Sequence, residues 1–200
     1  MVGLDNVGKT DIINAYMDTL PPEVRHEVLE ERSITEGVTP YLAHAFVNKK
    51  HLQLILQDTL SFDDPVMTGT YLKNQAGVFL VVDPSNKEAL TIEKLSEMIN
   101  LAAERSNNQK LNVKLLVNNP GKVSMGDMEQ IEKWAQESHV TIVRLATPLN
   151  GEQIKKILYE TLAEIVELMD NKGYEKTLEQ IWGGELQHFG ISVKRERTQL

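Results

Sequence analysis

Apolar and polar positions follow two rhythms along this chain, one suited to helices and one to buried strands. Lys9 to Leu20 reads as a helix that Pro21-Pro22 must end. Leu42 to Val47 and Leu52 to Gln57 predict two strands, and the short polar link Asn48-Lys49-Lys50 predicts a hairpin between them. Ala76 to Val82 (AGVFLVV) is a continuous apolar run, the pattern of a strand covered on both faces. Lys87 to Arg105 carries a helical stripe through Leu90, Ile92, Leu95, Ile99 and Leu101-Ala102. Val113 to Val117 and Val140 to Leu145 predict further strands, with a helix at Met125 to Ser138 between them. Glu152 to Asp170 is the clearest amphipathic helix, with Asn150 as its N-cap and Gly173 as its stop. Strands alternating with helices of this length predict an α/β sheet with parallel crossovers.

Composition narrows the setting. Two hundred residues with 41% hydrophobic content can build one core, expected over residues 1–170, with residues 171–200 as an extension. That extension combines a short amphipathic piece (Tyr174, Leu178, Ile181-Trp182) with a basic end, KRERTQL. A formal charge of −8 argues against a nucleic-acid partner and against adhesion to anionic membranes. The absence of cysteine removes disulfides, thiol chemistry and prenyl or palmitoyl anchors, and Val2 removes a myristoylation site. With no apolar run near the roughly 20 residues of a membrane span, the expectation is a soluble, cytoplasmic protein.

Candidate chemistry enters at the amino end. Gly3-Leu4-Asp5-Asn6-Val7-Gly8-Lys9-Thr10 fits G-x-x-x-x-G-K-[ST], the phosphate-binding loop. Its glycines let the backbone wrap a polyanion, Lys9 would reach the β- and γ-phosphates, and the Thr10 hydroxyl would face Mg²⁺. The helix that follows, starting with Asp11 just after the motif, aims its positive end at the anion. Only Met1-Val2 precede the loop, where a hydrophobic strand is normally found.

GLDNVGKT before an apolar helix resembles the small GTPases, with GLD especially Arf-like and ILYETLAEIVELM more weakly Rag-like. The resemblance runs to about Asp170, through the hairpin, QDTLS, AGVFLVVD, LLVNN and ATPLNG. It implies a three-layer P-loop fold, a six-stranded and mostly parallel sheet with one antiparallel edge strand and a truncated first strand. It also implies GTP or GDP with Mg²⁺ across the strand ends. Asp58 then holds Mg²⁺ through water, and Thr39, or Thr35 if an insertion is allowed, serves as the switch threonine. Asn118 matches the first position of the guanine-reading motif, followed by Asn119. Ala146-Thr147 sits where the family offers a backbone N–H to the base.

The chain also departs from that pattern. Ser61 replaces the glycine whose N–H faces the γ-phosphate, and Phe62 replaces the water-orienting glutamine. Phenylalanine neither donates nor accepts a hydrogen bond, so hydrolysis is expected to be slow or absent. Gly121 stands where an aspartate would accept from guanine, which weakens base discrimination. A polar turn is the simpler reading of Asn118-Asn119-Pro120-Gly121. The five histidines show no metal-ligand spacing, and Asp63-Asp64 reads as an exposed loop. Trp182 and Phe189 are equally suited to anchoring a partner or to packing on their own domain.

Three readings follow. The first is a nucleotide-binding member that hydrolyses poorly and acts as a switch or an assembly subunit. The second is a nucleotide-free scaffold, and the third a P-loop ATPase or kinase. The first two imply protein partners, either an effector or the subunits of a complex such as a heterodimer. Any membrane association would then run through those partners.

Overall fold

The computed structural model describes residues 1–22, 26–27, 38–59, 72, 75–85, 91–105, 112–122 and 124–171. The extension after residue 171, Thr35, Ser61, Phe62 and Asp63-Asp64 lie outside them. The strands are β1 (His26–Glu27), β2 (Val38–Val47), β3 (Lys50–Thr59), β4 (Gly77–Val82), β5 (Asn112–Val117) and β6 (Thr141–Arg144). The helices are α1 (Lys9–Met17), α2 (Ile92–Arg105), α3 (Met125–Glu137) and α4 (Gly151–Asn171). The protein is thus α/β, with a parallel β4-β5-β6 sheet and an antiparallel β1-β2-β3 sheet.

The hairpin expected at Asn48-Lys49-Lys50 is a two-residue turn. Val47 pairs with Lys50, and Asn48 and Lys49 have φ of 49° and 64°. Two successive left-handed residues match the right-handed twist of the flanking strands, and asparagine tolerates that conformation well. The two-residue β1, paired with Leu42 and Tyr41 of β2, carries no apolar periodicity and went unread in the sequence.

Met1-Val2 fill the position between the two sheets. Val2 pairs in parallel with Leu80, donating to the Phe79 carbonyl at 3.0 Å and accepting from the Val81 N–H at 2.8 Å. On the other side, the Met1 ammonium donates to the Gln57 carbonyl, and the Met1 carbonyl accepts from Thr59 Oγ1 at 2.8 Å. Two residues therefore do the joining expected of a full strand. Gly3 follows because nothing larger fits: a Cβ there would lie 2.4 Å from the Val81 carbonyl oxygen.

The core gathers around this junction. Ile12, Ile13 and Tyr16 of α1 are buried with Leu80, Val81 and Val82 of β4 and Leu115, Leu116 and Val117 of β5. Burying each such side chain contributes roughly 1.5–3 kcal/mol. α1 packs against α4, where Gly151 approaches the Ala15 carbonyl. α2 meets α3, and Trp134 Nε1 donates to Ser96 Oγ at 2.9 Å. α4 begins as its sequence foretells, with Asn150 Oδ1 accepting from the Gln153 N–H at 3.1 Å. Its Glu164 meets buried Lys114 of β5 at 2.9 Å and accepts from Asn112 Nδ2 at 2.6 Å. Partial burial pushes the Glu164 carboxyl upward, but these two partners outweigh it and hold it below its usual range. Among the described residues, no helix is long and apolar enough to cross a membrane.

Candidate functional site

The loop before α1 is held from behind. Asn6 and Gly8 adopt φ of 59° and 89°, turning the backbone through left-handed positions at both. At Gly8 the conformation and the space agree, because a Cβ would stand 2.5 Å from Asn118 Nδ2. Lys9 is 7% exposed, and its Nζ donates to the carbonyls of Gly3 and Leu4 at 3.1 and 2.8 Å. Val7 is buried, while Asp5, Asn6, Thr10 and Asp11 line the exposed side. No side chain caps the start of α1 at Gly8, so the helix presents its first-turn N–H groups there.

Two candidate metal ligands far apart in the chain meet at this loop. Thr10 Oγ1 donates to Asp58 Oδ2 at 2.5 Å. Asp58 lies near the end of β3, and the backbone of Thr39 in β2 stands opposite it in the strand register. The second carboxylate oxygen, Asp58 Oδ1, is buried and accepts no hydrogen bond from any described residue. An unpaired buried carboxylate oxygen is costly, and a cation or an N–H donor would relieve it. A hard oxygen pair of this type suits Mg²⁺.

Burial disfavours the charged form of the nearby Met1 amine. Desolvation lowers its pKa from 8.0 to about 5, the Asp58 charge opposes that shift, and Lys9 adds to it. The loop therefore borders a buried amine as well as the lysine.

At the strand ends a second group of polar residues converges. Asn118 is 8% exposed and its Nδ2 donates to the Val7 carbonyl at 3.1 Å, tying the end of β5 to the loop. Asn119, at φ 49°, donates from Nδ2 to Asp83 Oδ2 at 2.8 Å and accepts on Oδ1 from Thr147 Oγ1 at 3.4 Å. Asp83, at the end of β4, also accepts from the N–H and Oγ of Ser85 at 2.7 and 2.5 Å. Burial pushes the Asp83 carboxyl up, but the Ser85 and Asn119 bonds and the Lys122 charge more than reverse that and hold it low. The Ala146 N–H donates to Gln153 Oε1 at 2.8 Å. Gly121 has no heavy atom within 4 Å of where a Cβ would stand.

Two participants have no part in the sequence reading. Asp83 closes the AGVFLVVD stretch, and a carboxylate ending an apolar strand is its visible signal. Gln153 gives no signal, because its role depends on the angle between α4 and the loop after β6. Two of the five histidines meet in space, His44 Nδ1 and His51 Nε2 lying 3.1 Å apart across the β2-β3 hairpin. Among the described residues, no group of three or more His, Asp or Glu side chains is placed to hold a metal. No protein-family model matches the chain, and no curated protein sequence matches it significantly.

Proposed function

We propose that this chain binds a Mg²⁺-nucleoside triphosphate, GTP by resemblance, in a divergent small GTPase-like fold, and hydrolyses it weakly or not at all. The observation that carries the reading is the meeting of Thr10 and Asp58 beside a glycine-turned loop, with the other carboxylate oxygen of Asp58 buried and unpaired. Gly3, Asp5, Asn6, Val7, Gly8, Lys9, Thr10 and Asp11 would surround the phosphates, and Thr10 and Asp58, with Thr39 nearby, would hold the metal. A bound Mg²⁺ would supply charge neutralisation for the phosphate oxygens. The chain's own residues fix the loop from behind: Lys9 bridges its carbonyls, and Asn118 holds Val7. With phenylalanine at position 62, no side chain there can orient water. A protein of this kind acts as a slow switch or as an assembly subunit among protein partners in the cytoplasm.

One observation favours a nucleotide-free scaffold instead. The Lys9 ammonium is already engaged by two loop carbonyls, which stabilises the loop without a ligand. Isothermal titration of the full chain with MgGTP separates the two readings. Binding at micromolar affinity or tighter supports the first, with Lys9→Ala weakening it by about 100-fold or more. Absence of any triphosphate binding leaves the scaffold.

A further inference from the structure

We infer that the site selects its ligand by the phosphate-metal end and is nearly indifferent to the base, taking purine and pyrimidine triphosphates alike. The inference rests on the triphosphate reading above and concerns what lies beyond the phosphates. In a parallel sheet of this kind a ligand lies across the carboxyl ends of the strands. There Asn118, Asn119, Asp83 and the Ala146 N–H each already have a partner within the protein. Asn118 Nδ2 is committed to the Val7 carbonyl, and Asn119 uses both ends of its amide, toward Asp83 and Thr147.

The Ala146 N–H is the most telling case, because a backbone donor needs no particular side chain to read a carbonyl oxygen. It is occupied by Gln153 Oε1, and Gln153 is itself fixed. Its Nε2 donates to the Arg144 carbonyl at 3.0 Å, and its N–H donates to Asn150. Asp83 could replace the acceptor missing at Gly121, but its oxygens are taken by Ser85 and Asn119.

A base bond made here would cost a protein bond of similar strength, so the exchange gives little net preference. Strong discrimination arises where a site's buried polar groups stay unpaired with the wrong ligand, and no such penalty operates here. At the phosphate end the balance is reversed, since Asp58 Oδ1 waits for a partner.

The test is competitive titration of the full chain with MgGTP, MgATP, MgUTP and magnesium tripolyphosphate. The expected dissociation constants for the three nucleotides agree within about 5-fold. Gln153→Ala unmasks the Ala146 N–H and should raise the GTP-over-ATP ratio by about 5- to 10-fold, because guanine carries a carbonyl oxygen where adenine carries an amino group. A GTP preference above about 30-fold in the parent chain overturns the inference while sparing the triphosphate reading. An unchanged ratio in Gln153→Ala also overturns it. Failure of all four ligands to bind removes both.

Discussion

Gly3→Ala tests whether two residues can do the work of a strand. The new Cβ would lie 2.4 Å from the Val81 carbonyl oxygen and 3.1 Å from a Val7 methyl. Close carbon–oxygen contacts settle near 3.3 Å or beyond, so the chain must retreat by about 1 Å. Val81 cannot yield, because β4 is buried and paired with β5. The retreat therefore opens the two bonds between Val2 and β4, now at 3.0 and 2.8 Å. Losing two backbone bonds at about 0.5–1.5 kcal/mol each, plus part of the packing around Val2, gives roughly 2–4 kcal/mol. Gly126→Ala is the internal control. A Cβ there meets nothing within 4 Å inside α3, so it should stabilise the protein by about 0.5 kcal/mol through helix propensity. Urea denaturation of both variants measures the difference, and the transition slope must stay constant for the comparison to hold. If Gly3→Ala matches the parent to within about 0.5 kcal/mol, or Gly126→Ala costs as much, the reasoning from close approach is refuted.

The Met1 amine makes stability depend on pH. Its folded pKa of about 5 lies below the unfolded 8.0, so the unfolded chain binds more protons between those values and stability rises with pH across that window. The span corresponds to something on the order of 4 kcal/mol. Urea midpoints at pH 5.5 and 8 should separate strongly for the free amine and much less once it is acetylated; equal separations would contradict the burial. Ser96→Ala leaves the buried Trp134 indole N–H without its acceptor and should cost about 1 kcal/mol in the same assay. No loss there would mean that solvent replaces the serine freely.

The helices and central strands were readable in the sequence because each carries its own periodicity. AGVFLVV became β4 within one residue, and the Glu152 helix starts one residue early at Gly151, with Asn150 capping as expected. The small GTPase resemblance assigns Thr10 and Asp58 to one metal site, and the structure brings their side chains within hydrogen-bond distance although 48 residues separate them. What stayed hidden depends on relative placement. Nothing in Met1-Val2 announces that two residues can pair with β4 on one side and reach β3 on the other. Occupation of the Ala146 N–H by Gln153 is likewise a matter of angles between elements, which a linear pattern does not carry. His44 and His51 met because the tight Asn48-Lys49 turn set the strand register, and a register has consequences that a list of histidines lacks.

The Met1-Val2 pairing also has a mechanical consequence. Met1 and Val2 bond to β4 on one side and β3 on the other, and Gln75 Nε2 donates to Gln57 Oε1 at 3.1 Å beside them, so this junction is a pin between the two sheets. Thr10 sits on the helix side of the pin and Asp58 on the hairpin side. Opening that junction would part the two side chains, so the Thr10–Asp58 contact depends on the seam between the sheets.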